Sequence, residues 1–217
     1  MKYSCILKIM VVWVAWIFFT GTIAAQENNP IVFIHANLIP MTSEIVLPDQ
    51  TVVIHGKEII AVGPDNRTAV PQNARVIDCS NAYLMPGLAD MHMHLRSNWM
   101  SDDWPVSPLN LYLANGVTTI RCFGPLGKTG RYGLAWRKEI DAGRLVGPHI
   151  LTCGPQLRGH FKKNPEHIVI SQKYQGFDFI KIYSYVTKDE YHTIVSTAKK
   201  LNFYTAGHIP FQVGLDG

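Results

Sequence analysis

Charge is sparse in this sequence and nearly balanced: Asp, Glu, Lys and Arg make up 17% of the 217 residues, with 20 basic against 16 acidic. So slight a surplus leaves no electrostatic footprint for nucleic acid. It falls to two once Lys2 and Lys8 are set aside as part of a leader. No Gly-X-Y period or heptad is present, which removes the fibrous classes, and a hydrophobic content of 47% removes disorder. A mean hydropathy of +0.04 is too low for a polytopic membrane protein. The long apolar run from Ile9 to Phe19 is only 11 residues, where a spanning helix wants about 20. Cysteine is scarce as well. Beyond Cys5 there are Cys79, Cys122 and Cys153, an odd number at wide spacing with no Cys-x-x-Cys pair. That excludes a disulfide framework and a Cys-based zinc site. Cys122 and Cys153 sit in apolar strand-like runs and read as buried thiols.

The N-terminus reads as an address. Lys2 and Lys8 precede the apolar run, and Thr20-Gly21-Thr22-Ile23-Ala24-Ala25 follows it with small residues. That order is a secretory signal peptide over residues 1–25, with an uncleaved anchor as the rival. Cleavage gives a mature chain from Gln26, secreted or periplasmic and held to no membrane.

The mature chain changes character once. Residues 26–84 read as a small β domain, with strands at Ile31–Ile34, Thr51–Ile54, Ile59–Val62 and Arg75–Asp78 and a tight turn at His55-Gly56-Lys57. From residue 85 to 217 the rhythm is strand, loop, helix. Strands are expected at Leu88–Leu95, Thr118–Phe123, His149–Cys153, Phe179–Tyr183 and from Phe203 to His208. Helices are expected at Pro108–Asn115, Tyr132–Asp141 and Lys188–Leu201, with a brief remnant around Glu166–Tyr174. Thr187 with Glu190 predicts a capping box. Repeated βα units mean a parallel α/β sheet, either doubly wound or a barrel. No Gly-x-Gly-x-x-Gly follows any strand, which weakens the dinucleotide-binding version. A (β/α)8 barrel needs eight strands, and about five are here.

Four residues stand out chemically. His92 and His94 lie at i and i+2 of a strand, so both imidazoles share one face while Met91, Met93 and Leu95 take the other. Imidazole is a preferred ligand for zinc and similar divalent metals. A bare His-x-His also occurs on any half-exposed strand. Lys181 interrupts the apolar strand Phe179-Ile180-Lys181-Ile182-Tyr183, where a charge is costly unless paired, deprotonated or coordinated. His208 ends the fifth strand. All four fall at strand ends on the same side of successive βα units, which is where barrel active sites lie.

Met85-Pro86-Gly87-Leu88-Ala89-Asp90-Met91-His92-Met93-His94-Leu95 resembles the first-strand signature of the metal-dependent amidohydrolase superfamily. Asn115-Gly116-Val117-Thr118-Thr119, Asp178-Phe179-Ile180-Lys181-Ile182-Tyr183 and Ala206-Gly207-His208-Ile209-Pro210 are similar to its imidazolonepropionase and prolidase-like branch, in the right order. The resemblance implies an incomplete (β/α)8 TIM barrel preceded by a small β-sandwich-like domain. It implies two divalent metals, zinc by default, per complete site. His92 and His94 would bind the first, a carboxylated Lys181 would bridge, and His208 would bind the second. A metal-activated hydroxide would attack an amide or dipeptide-like substrate at its C–N bond, with Tyr183 lining the pocket. In the family a further His and a catalytic Asp come from later strands, and Asp216 does not match that Asp. The expectation is therefore an N-terminal portion of such a hydrolase that needs a C-terminal half or a partner copy. The alternative is an inactive fragment that binds metal weakly or not at all. His35, His55, His149, His160, His167 and His192 match no ligand position.

Overall fold

The computed structural model describes residues 29–94, 108–124 and 132–215. The leader, Leu95 and Asp216 lie outside the described residues. Among the described helices none is long and apolar enough to cross a membrane. The chain divides into two compact units between Pro86 and Gly87.

The first unit is one five-stranded sheet. β1 (Ile31–Leu38), β2 (Leu47–His55), β3 (Glu58–Pro64) and β4 (Arg75–Asp78) run in the order β3-β2-β1-β4, and β5 (Tyr83–Leu84) also pairs with β1. β1, β2 and β3 are antiparallel neighbours, whereas β4 and β5 lie parallel to β1. The β2–β3 turn is two residues long and starts at Gly56, whose φ of +61° suits a tight hairpin. Val32, Ala36, Leu38, Val52 and Val53 are buried. β1 departs from strict alternation at His35, which has φ +57° and marks a shift of register between Phe33 and Ala36. Its ring Nδ1 lies 2.6 Å from Asp65 Oδ2, and Thr51 donates to the other oxygen of that carboxylate. The two parallel pairings and the short β5 were not anticipated, because strand partners are invisible in runs this short.

The second unit is α/β, and its described strands all pair in parallel. Its elements are β6 (Leu88–Met93), α1 (Pro108–Ala114), β7 (Val117–Cys122), α2 (Tyr132–Asp141), β8 (His149–Thr152), α3 (Pro165–Tyr174), β9 (Phe179–Ile182), α4 (Lys188–Lys200) and β10 (Tyr204–Gly207). β6-β7-β8 form one ladder and β9-β10 another. Parallel bridges from Cys153 to Phe179 and from Leu157 to Ile182 join the two. The described strands therefore follow chain order without the reversal a doubly wound sheet requires. α3 is a full helix rather than a remnant. Asn164 caps it by accepting from the Glu166 amide, and Pro165 opens it. The Thr187–Glu190 capping box forms as expected, and Asp189 and Glu190 begin α4 while Lys199 and Lys200 end it.

Strand alternation gives the second unit two faces. Ile180 and Ile182 pack with Val169, Ile194, Ala198 and Phe203 toward the helices, and Ile120, Cys122 and Ile150 pack with Leu109, Trp136 and Met93. On the other face Phe123, Cys153 and Phe179 cluster with Ala206. Lys181 shares the parity of Phe179, so it belongs to that inner face.

β6 is not the regular strand its sequence suggests. Asp90 pairs with Ile120 and Met93 with Cys122, so three residues oppose two. Asp90 and Met93 both turn toward α1, the first accepting from Tyr112 Oη and the second packing with Leu109. Met91, expected to share the face of Met93, is instead exposed outside that cluster. The surplus residue is a bulge, and it turns His92 to the inner side.

Candidate metal centre

Parallel pairing brings the C-terminal ends of β6, β9 and β10 to one end of the second unit. His92 precedes the last residue of β6 and His94 follows it, Lys181 is third of four in β9, and His208 directly follows β10. Ala206 is the register partner of Lys181, so His208, two residues later, continues on the Lys181 face. The His208 amide donates to the Ile182 carbonyl at 3.0 Å and holds the chain there.

The rings of His92 and His94 stand 5.5 Å apart between centroids. His92 stacks on Phe123 at 4.1 Å and 21°. His94 Nδ1 lies 3.2 Å from the Gly124 carbonyl oxygen. A carbonyl only accepts, so Nδ1 carries the proton and the Nε2 lone pair is left to bind. Lys181 is 1% exposed, and its Nζ is buried without a hydrogen-bond partner. Nζ lies 4.5 Å from the centroid of Phe123. Tyr183 meets His208 edge to face at 4.5 Å, and the Arg158 guanidinium lies 4.6 Å from the centre of the Tyr183 ring.

Electrostatics ties the four residues together. Burial, then the positive charges of Lys181, His94, Arg121 and His208, holds the His92 imidazole below its usual range. Burial, then Lys181 and His94, does the same to His208. Burial lowers the Lys181 amine, with Cys153 opposing and Arg121 reinforcing. Burial pushes the neighbouring Cys153 thiol up to about 12, so it stays protonated. The shifts at His92, Lys181 and His208 all favour neutral nitrogen, the form that binds a metal. Among the described residues no three His, Cys, Asp or Glu side chains converge into a ready metal-binding group. The constellation is therefore a His92–His94 pair and a separate His208, with the buried Lys181 amine electrostatically coupled to both. An orphaned inner-face amine and a histidine with its tautomer already set fit a divalent metal.

Arg121 in β7 and Phe123 directly after it escaped the sequence reading. Arg121 donates from Nε to the Met91 carbonyl at 2.8 Å, and Phe123 underlies His92. Like Lys181, Arg121 in Ile120-Arg121-Cys122-Phe123 is a charge inside an otherwise apolar parallel run. Asp178 has a structural task, accepting from the Thr152 amide and from Arg137 Nη1.

No protein-family model matches the chain. An adenine deaminase of Chelativorans sp. (strain BNC1) is 34% identical over 194 residues, 80% of this chain and 31% of the relative. The adenine deaminase of Staphylothermus marinus is 31% identical over 101 residues, 46% of this chain and 16% of the relative. The chain thus spans about a third or less of these curated relatives. Among solved structures, a Xaa-Pro dipeptidase with bound methionine superposes with a TM-score of 0.63 and 22% identity, over 83% of this chain and 56% of that one. An amidohydrolase superposes with a TM-score of 0.63 and 19% identity, over 83% and 56%. At these identities the structures speak for the fold, and the deaminases carry the likeness into sequence. Both lead to one place: this chain belongs to the metal-dependent amidohydrolase superfamily.

Proposed function

We propose that residues 87–217 form the first five βα units of a (β/α)8 barrel and carry the ligand-bearing part of a centre that hydrolyses carbon–nitrogen bonds. The observation that carries this reading is Lys181 Nζ, buried and unpartnered on the inner face shared with His92, His94 and His208. A sequence does not keep a bare amine in such a place for stability, since burying it unpaired is costly. The relatives and the fold support the reaction class, because the chain is similar to an adenine deaminase and, in fold, to a dipeptidase. The prolidase-like branch is part of the same proposal, with small amides or dipeptides as substrates. The leader-like N-terminus supports a chain working outside the cytoplasm.

His92 and His94 would hold one divalent metal and His208 a second, zinc by donor type. When bound, the metals lower the pKa of water and polarise a carbonyl. The chain's own residues prepare that chemistry. The Gly124 carbonyl fixes the His94 proton on Nδ1 and so presents Nε2. Burial favours the neutral Lys181 amine, whose lone pair adds to carbon dioxide with loss of one proton to give an anionic carbamate. Tyr183, edge-on to His208, would line the substrate side.

Metal content of the purified chain, beside a His92→Ala/His94→Ala variant, tests this. About one or more equivalents per chain, lost in the variant, is the expected result. A folded chain whose metal content ignores both substitutions would sink the reading. A second reading, a fragment that holds metal weakly and turns nothing over, is favoured by the missing three-donor group among the described residues. Sub-stoichiometric metal without hydrolysis of dipeptides would select it.

A further inference from the structure

β7 and the residue that follows it bring none of the four ligand candidates, yet His92 and Lys181 both meet Phe123, directly after β7. We propose that Arg121 and Phe123 are positioning residues that aim His92 and seat Lys181; this rests on the reading of those two as metal ligands. His92 reaches the inner face only because β6 bulges between Asp90 and Met93. A bulge breaks the local ladder and needs another restraint to keep its direction. Arg121 supplies one by donating from Nε to the Met91 carbonyl, within the bulge itself, at 2.8 Å.

The guanidinium is fixed in turn. Its carbon lies 4.8 Å from the centroid of Phe123 and 5.7 Å from that of Phe179, within cation–π range of both rings. Those rings meet edge to face at 5.0 Å. Phe123 is 2% exposed, and its amide donates to the Met93 carbonyl at 2.9 Å, which ties the ring's backbone to the histidine strand. One ring therefore carries His92 stacked at 4.1 Å, Lys181 Nζ at 4.5 Å and Arg121 at 4.8 Å. Its negative π face is the kind of neighbour a buried amine can tolerate before it gains a ligand. Arg121 sets the backbone beneath His92, and Phe123 sets the plane of the imidazole.

Two measurements on the full chain test this together: zinc affinity by titration, and the ring-proton shifts of His92 in the metal-free chain, assigned with a His92→Gln control. A proton held over an aromatic face is shifted upfield. Phe123→Leu should return His92 toward its free position, and both Phe123→Leu and Arg121→Met should weaken zinc binding about 10–100-fold, the range for residues that orient ligands. Phe123→Tyr should restore both. A merely structural role would lower the melting temperature of Phe123→Leu while leaving the zinc affinity of the folded molecules unchanged, and that result overturns the proposal. An unshifted His92 in the parent overturns it too. Should Phe123→Leu not fold, Arg121→Lys takes its place, keeping the charge but losing the planar Nε donor. Zinc bound to it with parent affinity again overturns the proposal. A parent chain that binds no zinc would count against the metal centre, while the His92 shifts would still decide whether Phe123 seats the ring.

Discussion

His94 Nδ1 and the Gly124 carbonyl oxygen lie 3.2 Å apart, so one ligand candidate takes its tautomer from the backbone of the adjacent βα unit. Gly124 has φ +86°, a left-handed backbone that favours glycine and that here faces its carbonyl to the ring. The neutral His94 ring is therefore expected in the Nδ1–H form in the metal-free chain. Long-range ¹H–¹⁵N spectra of labelled histidine distinguish the two tautomers, and an Nε2–H form would refute the assignment.

Lys181 predicts a conflict between stability and function. Its Nζ is buried with no hydrogen-bond partner, so the metal-free chain bears the cost of an unsatisfied polar group. Lys181→Met keeps the length and removes that group. The variant should be more stable than the parent by about 1–3 kcal/mol, while zinc binding falls. Thermal melts with and without zinc check both halves. A destabilised variant would mean that the amine has a favourable role in the apo fold.

What the sequence disclosed and what it withheld follow from range. The capping box at Thr187, the alternation of Phe179, Lys181 and Tyr183, and the turn at Gly56 are local and were legible. The α3 helix was underread although its signal, Asn164-Pro165-Glu166, is a cap followed by a helix-opening proline. The bulge in β6 was hidden, because nothing in Asp90-Met91-His92-Met93 announces a surplus residue until its pairing with β7 is known. Phe123 was hidden for the same reason. It packs on a histidine about thirty residues earlier, and its own strand reads as ordinary core. The ligand candidates were legible for local reasons: His92 and His94 by their i, i+2 spacing, Lys181 by interrupting an apolar strand, and His208 by its place at a strand end.

Acid should loosen the first unit. Burial works to raise the Asp65 carboxyl, but hydrogen bonds from Thr51 and His35, with the charge of His35, outweigh it and hold the group below its ordinary value. A carboxyl depressed on folding contributes stability that is present above its unfolded value, about 3.9, and is lost as pH falls through the folded value. Urea midpoints of the parent should therefore fall between about pH 5 and 2, and Asp65→Asn should flatten that slope. An Asp65→Asn variant with the parent's slope would show that other carboxylates govern the acid limb.

The start of α4 offers a separable measure of helix anchoring. Thr187 Oγ1 accepts from the Glu190 amide, and Glu190 accepts from the Thr187 amide at 2.9 Å and the Phe161 amide at 3.2 Å. Thr187→Ala removes one arm and should cost about 1 kcal/mol. Glu190→Ala should cost more, because it also frees the Phe161 amide. Equal losses in denaturant unfolding would show that the Phe161 contact contributes nothing.

Gly207 sets the position of His208, and its substitution makes the sharpest test of how β10 delivers that ring. The backbone there has φ +147°, and a Cβ would run into the Ile182 carbonyl, backbone that cannot step aside as a side chain can. That same carbonyl accepts the His208 amide at 3.0 Å. Gly207→Ala must therefore push β10 away from β9 where the hydrogen bond holding His208 is made. A strained backbone position costs about 1–3 kcal/mol, and the His208 amide should lose its protection from hydrogen exchange more than the Ala206 amide, the preceding one on the β9 side of the ladder, does. If instead both amides lose protection equally, β10 has moved as a whole. If neither does, Gly207 has no part in placing His208.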